Sequence, residues 1–85
     1  MTDPAYRAPA NATDGEIHHE YVLLQLAADR ADDDVMDTIH NDQSRNRHRN
    51  IARMQRARAA CEHARDQYYH ANRVEIQRHL DLYNV

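Results

Sequence analysis

The chain has 85 residues, a formal net charge of −3 and only 13 Leu, Ile and Val residues, with no Phe. This size gives one domain, close to the limit below which a single core needs help from a partner, a metal or a disulfide. So few large apolar residues exclude a thick core, and we expect another subunit to complete it.

The sequence lacks the features of a secreted or membrane-spanning protein. Its lone Cys61 excludes an intramolecular disulfide, which fits a reducing compartment. The first residues have neither the basic start nor the apolar run of a signal peptide, and the longest purely aliphatic run, 22–24, is too short to span a bilayer. We therefore predict a cytoplasmic protein that has no membrane partner.

Residues 1–12 predict an extended N-terminal arm, because they hold both prolines and several small or polar residues. Thr13 and Glu16 have the spacing of a capping box, which predicts that a helical domain, 13–85, begins here with a helix at 14–40. Apolar residues recur along this helix every three or four positions, as on one helix face. These residues are Ile17, Tyr21, Leu24, Ala28, Ala31, Val35 and Ile39.

A second helix is predicted from about residue 44 to residue 82, after a turn in the polar cluster 41–44. The acidic run 32–34 makes a break near 29–33 an alternative to a continuous first helix, because Asp is a poor residue inside helices. No glycine or proline interrupts the second helix. Its apolar row consists of Ile51, Met54, Ala57, Cys61, Ala64, Tyr68, Ala71 and Val74.

The two helices are predicted to form an antiparallel hairpin, so the fold class is all-α. Residues 1–42 have a net charge of −8 and residues 43–85 one of +5, and the two halves therefore attract each other. With a turn centred on residue 43, facing residues have numbers that add to about 86, and the apolar rows then coincide. The same register pairs Asp37 with Arg49, Asp33 with Arg53, and Asp29 with Arg56 or Arg58. Because Ala occupies several facing positions, we expect oligomerisation into a bundle, most simply as a dimer of hairpins.

The stretch 44–58 holds six arginines with Asn and Gln between them. Helical segments of this composition can enter a nucleic-acid groove, where guanidinium groups contact phosphates and base edges. Alternatively, the acidic stretch 29–42 neutralises these arginines within the chain or between subunits. The residues expected to contact RNA or DNA under the first alternative are Arg45, Arg47, Arg49, Arg53 and Arg56.

Seven histidines raise a second alternative, a metal-binding helical bundle. Glu16 and His19 have the Glu-x-x-His spacing, which resembles half of the motif of ferritin-like di-iron proteins. This resemblance implies carboxylates and imidazoles that project into a bundle core. The second helix has no such motif, so a solvated helix face is the simpler interpretation, and we expect no cofactor. The candidate ligands are Glu16, His19, Glu20, Glu62, Asp66 and His70.

We predict that the chain is not an enzyme and has no small-molecule substrate, because its sequence contains no catalytic motif. In the predicted register, 74–85 extends past the first helix, which leaves several apolar side chains uncovered. We therefore predict a helical interaction protein of cellular or viral origin, which acts as a subunit of a homo-oligomer or of a larger protein assembly. The predicted contact residues are Val74, Ile76, Leu80, Leu82 and Tyr83.

Overall fold

The first long helix begins where the capping box predicts it. In the computed structural model, which describes residues 4–83, helix α1 comprises Asp14–Asn41. The Thr13 hydroxyl accepts a hydrogen bond from the Glu16 backbone N–H at 3.1 Å, and the Glu16 carboxylate accepts one from the Thr13 N–H at 3.3 Å. These reciprocal bonds satisfy backbone donors that a helix start otherwise leaves unpaired.

Helix α1 is continuous through its acidic run, so the alternative of a break near 29–33 is wrong. Asp32, Asp33 and Asp34 are all exposed. Their carboxylates stay in water and do not compete for the backbone hydrogen bonds of the helix.

A single carboxylate organises the turn that follows α1. Asp42 caps the helix, and its backbone N–H donates to the Thr38 carbonyl at 3.0 Å. Its carboxylate accepts hydrogen bonds from the Ser44 N–H at 2.8 Å and from the Asn50 side-chain amide at 2.7 Å. Helix α2 then comprises Arg47–Ala71 and begins three residues later than predicted.

Helices α1 and α2 pack antiparallel, and the described part of the chain is all-α, as predicted. Asp32 forms an ion pair with Arg58 at 3.0 Å, and the rings of Tyr21 and Tyr69 lie 5.4 Å apart. The residue numbers of each pair add to 90, so these contacts are displaced by about one helical turn from the predicted register. The later start of α2 accounts for part of this displacement.

The second helix does not continue to residue 82. Asn72 interrupts it, with φ −125° and ψ 24°, and a separate helix α3 comprises Arg73–Asp81. Since these angles lie outside the helical region, the chain changes direction at Asn72. Helix α3 turns toward the start of α1, where the Arg78 guanidinium donates to the Asp14 carboxylate at 2.8 Å. The prediction of one helix from 44 to 82 is therefore wrong beyond Ala71.

The buried Asn72 side chain joins the N-terminal arm to the end of α2. It is fully excluded from solvent. Its amide nitrogen donates to the Tyr6 carbonyl at 2.8 Å and to the Tyr68 carbonyl at 2.9 Å, while its amide oxygen accepts from the Ala8 N–H at 2.9 Å. All polar atoms of this side chain are thus hydrogen-bonded, as burial requires.

From residue 4 onward, the N-terminal arm packs against the helices. The prediction of an extended arm is therefore wrong for this part of the chain. Pro4–Tyr6 form a 3-10 turn. The Arg7 guanidinium donates to the Ala71 carbonyl at 2.8 Å and forms an ion pair with Glu75, a contact that lowers the pKa of the Glu75 carboxyl. The arm therefore binds both sides of the break between α2 and α3.

The core is small and unevenly shared among the helices. Helix α2 contributes no fully buried side chain, although the structure describes all 25 of its residues. Most of its apolar row is half-buried, and Ala57 is exposed. The buried apolar residues are Ile17, Ala28, Ala31, Val35 and Ile76.

Replacing Asn72 with Ala should destabilise the fold by ~1–3 kcal/mol, because buried backbone groups of the arm lose their hydrogen-bond partner. The free energy of unfolding in urea and the hydrogen exchange of the Ala8 amide measure the two effects. Asn46→Ala is the matched control, since Asn46 caps α2 without a side-chain hydrogen bond. Equal effects of the two variants would show that the Asn72 amide does not hold the arm.

Asp42 should make stability depend on pH in the acid range. Hydrogen bonds from Ser44 and Asn50 lower the pKa of Asp42 to about 2. Folding therefore favours the ionised carboxylate, whose contribution is complete above the unfolded pKa of ~3.9 and is lost as the pH falls through the folded value.

Asp42→Asn should consequently be less stable than the wild type at pH 6, and this difference should shrink as the pH approaches 2. Urea unfolding at a series of pH values measures it. Asp33→Asn is the control, because the structure shows no hydrogen bond or ion pair from Asp33 within residues 4–83. A stability difference for Asp42→Asn that does not change with pH would contradict the assignment.

Candidate interaction surfaces

Helix α3 and the residues after it expose most of their large apolar side chains. Val74 is 65% exposed, Leu82 68% and Tyr83 76%, and Leu80 is exposed to a smaller extent. We call these four residues the C-terminal apolar group. They are four of the five residues predicted from sequence to contact a partner.

The fifth predicted contact residue, Ile76, is not available at the surface. It is 0% exposed. The prediction assumed that 74–85 extends past α1, whereas the break at Asn72 folds α3 onto the start of α1 and buries Ile76 there. The C-terminal apolar group is what remains uncovered after this packing.

Helix α1 exposes a second set of apolar side chains. Leu26 is 56% exposed, and Leu23 and Met36 are also exposed. At 100° per residue, Leu26 lies opposite the buried positions Val35 and Ile17. No part of the described chain therefore covers this side of α1.

Three arginines form a row on the outer side of α2. Arg49, Arg53 and Arg56 are exposed and follow each other at spacings of four and three residues, so they share one helix face. This face points away from α1, because the half-buried residues Met54 and Arg65 lie on the opposite side of α2. We call these residues the arginine row.

The two other predicted nucleic-acid residues occupy different positions. Arg45 is exposed in the turn before α2. The guanidinium of Arg47 is half-buried and donates to the Ile39 carbonyl at 2.7 Å, so it caps the end of α1. Arg47 therefore has a structural role in the turn and does not belong to the arginine row.

Three aspartates form a corresponding row on the outer side of α1. Asp29, Asp33 and Asp37 are exposed and recur every four residues. Asp29 accepts a hydrogen bond from Gln25, and Asp37 accepts one from Asn41, but within residues 4–83 none of the three forms an ion pair. We call these residues the aspartate row.

The charge pairing predicted within the hairpin is largely missing from the described residues. Asp32 and Arg58 form the ion pair that links α1 to α2. Neither Asp33 nor Asp37 reaches Arg49 or Arg53 within residues 4–83, because the two rows face away from each other. The charges of these two rows therefore remain on opposite sides of the molecule.

Sequence reasoning missed the contacts that close the open end of the hairpin. The His18 and His79 rings lie 4.8 Å apart beside the ion pair of Asp14 with Arg78, which lowers the pKa of the Asp14 carboxyl. The sequence does contain a signal for the start of α3, the helix that carries Arg78 and His79. Asn72 precedes Glu75 by three residues, which is the spacing of a capping box, although the Asn72 side chain bonds the arm and the Tyr68 carbonyl and does not cap α3.

The structure does not assemble the predicted metal ligands into one site. Glu16 is held in the capping box, and Asp66 forms an ion pair with Arg65 at 3.0 Å. Glu62 lies 4.0 Å from Arg58. In residues 4–83, no three His, Cys, Asp or Glu side chains lie close enough together to hold a metal ion. His19, Glu20 and His70 are exposed.

Within the described residues, no helix has the length and apolar character needed to cross a bilayer.

Comparisons with known proteins add no family to this description. The chain matches no protein-family model, no curated protein and no solved structure.

Proposed function

We propose that this chain is a cytoplasmic, non-enzymatic helical protein that acts as a subunit of a homo-oligomer or of a larger protein assembly. The observation that carries the proposal is that α2, a helix of 25 residues, buries none of its side chains fully. A helix of this length in a finished core normally buries one continuous stripe. The core of the single hairpin is therefore incomplete.

The dimensions of the chain support this proposal. Its accessible surface is 6411 Å², whereas a monomer of 10.0 kDa exposes about 5,200 Å². The excess of about 1,200 Å² is more than the ~800 Å² that each partner contributes to a standard interface. The radius of gyration is 16.3 Å, against about 12 Å for a compact chain of 85 residues.

The C-terminal apolar group is the part of the surface that best fits a protein contact. Its members are large, exposed and close together in the sequence. Interfaces draw most of their energy from a few large apolar or aromatic anchors of this type. We propose Leu80 and Tyr83 as the anchors.

Sedimentation velocity over a range of concentrations tests the proposal. The wild type should sediment above the monomer mass, and Leu80→Gln combined with Tyr83→Gln should weaken association at least tenfold while helicity stays unchanged. Met36→Gln is the control, because it removes an exposed apolar side chain from α1, outside the C-terminal apolar group. A wild type that stays monomeric at every concentration and captures no partner protein would refute the proposal.

Binding of RNA or DNA is a second candidate function, and the arginine row is the observation that favours it. These guanidinium groups are exposed, and within residues 4–83 no carboxylate neutralises them. Phosphate binding by such groups is electrostatic, so the affinity should fall steeply with salt. The two candidates therefore use different surfaces, the C-terminal apolar group for a protein partner and the arginine row for a nucleic acid.

Electrophoretic mobility shifts at low ionic strength test this second candidate. If the chain binds RNA or duplex DNA, Arg53→Gln should reduce the slope of log affinity against log salt by about 1. Arg65→Gln is the matched control, since Arg65 is paired with Asp66. The absence of any shift with either nucleic acid would remove this candidate.

A further inference from the structure

The aspartate row and the arginine row have matching spacing on opposite sides of the hairpin. Four residues advance an α-helix by about one turn, so successive side chains in each row stand ~6 Å apart. Both rows lie in the halves of α1 and α2 that adjoin the turn. Because the helices are antiparallel, the rows run in opposite directions along the molecule.

Each row is electrostatically unsatisfied in the single chain. Neighbouring charges within a row have the same sign, and like charges at this helical spacing repel each other. Within residues 4–83 no side chain of opposite charge pairs with either row. An opposite charge from outside the chain would relieve this repulsion on both sides of the molecule.

A second copy of the chain carries the complementary charge in the required order. If it lies beside the first copy with its turn at the same end, α1 of one copy is antiparallel to α2 of the next. Asp37 can then meet Arg49, Asp33 can meet Arg53, and Asp29 can meet Arg56. These are the pairs that the sequence indicates and that the isolated hairpin keeps apart.

The apolar residues beyond the rows fit the same arrangement. Leu26 lies on the outer side of α1, next to the aspartate row, and Ala60 lies on the outer side of α2, next to the arginine row; both are exposed. In the register that pairs the rows, Leu26 faces Ala60. A small residue at this position allows the two helices to approach to the usual 8–10 Å.

From this match we infer that the partner of the arginine row is the aspartate row of a second copy of this chain. The inference rests on the proposed function, a subunit of a homo-oligomer, and adds a contact between copies that is separate from the C-terminal apolar group. The two surfaces are different and lie on opposite sides, so the contact is heterologous and does not close in a dimer. Copies therefore add side by side into an open row or a ring, with all turns at one edge.

Charge reversal on one row at a time tests this inference. Asp33→Arg with Asp37→Arg makes both outer sides basic, and Arg49→Asp with Arg53→Asp makes both acidic. Sedimentation velocity at 20 mM and 1 M NaCl, with helicity checked by circular dichroism, measures assembly. Glu20→Arg with Asp66→Arg is the control, because it changes the charge by the same amount at exposed positions outside both rows and outside the C-terminal apolar group.

The wild type should form species larger than dimers at low salt, and these should dissociate at 1 M NaCl, where exposed charges are screened. Each reversed variant should be monomeric alone, whereas an equimolar mixture of the two should assemble again. The control variant should assemble like the wild type.

Three results would overturn the inference. Reversed variants that still assemble would leave the proposed function intact but assign it to another surface, such as the C-terminal apolar group. A wild type that stops at a closed dimer would exclude the heterologous contact. If the arginine reversal abolishes binding to a duplex DNA or RNA probe and leaves assembly unchanged, the arginine row binds nucleic acid and not a second copy of the chain.

Discussion

The architecture depends on the burial of one amide, that of Asn72. A primary amide removed from water must find partners for both its nitrogen and its oxygen. Asn72 finds them in carbonyls of α2 and of the arm and in the Ala8 N–H. Meeting this requirement ends α2, fixes the arm against it and directs α3 onto the start of α1. The burial of Ile76 and the ion pair of Arg7 with Glu75 both follow from that change of direction.

The middle of the hairpin is packed less completely than its two ends. Near the turn, the hairpin is held by the Asp42 carboxylate and by Arg47, while the middle of α2 only half-covers α1. Alanine supplies two of the five buried apolar residues, so close packing there buries little area. Polar contacts thus define the shape of the monomer, and the apolar burial that would stabilise it is unfinished. The self-association that we propose would supply both apolar burial and opposite charge in one contact.

Local signals made much of this fold predictable. The capping box of Thr13 with Glu16 and the three-to-four spacing up to Ile39 correctly placed α1, because each depends on neighbours in sequence. The break at Asn72 was missed, since it is decided by the arm, more than 60 residues away in the chain. The charge pattern alone also predicted the wrong location for the contact between the two rows. It indicates which residues attract each other, but the direction of each helix face determines whether they meet within one chain. The sequence predicted all four residues of the C-terminal apolar group, but it did not predict the burial of Ile76, which requires the break at Asn72.

The separation of the two rows also determines how the folded chain responds to a uniformly charged surface. A net charge of −3 by itself would direct the protein only to positively charged surfaces. With aspartates on one side and arginines on the other, the molecule instead has an electric dipole across the pair of helices. It can turn either side toward a matrix, so we expect the folded protein to be retained by both anion and cation exchangers at neutral pH.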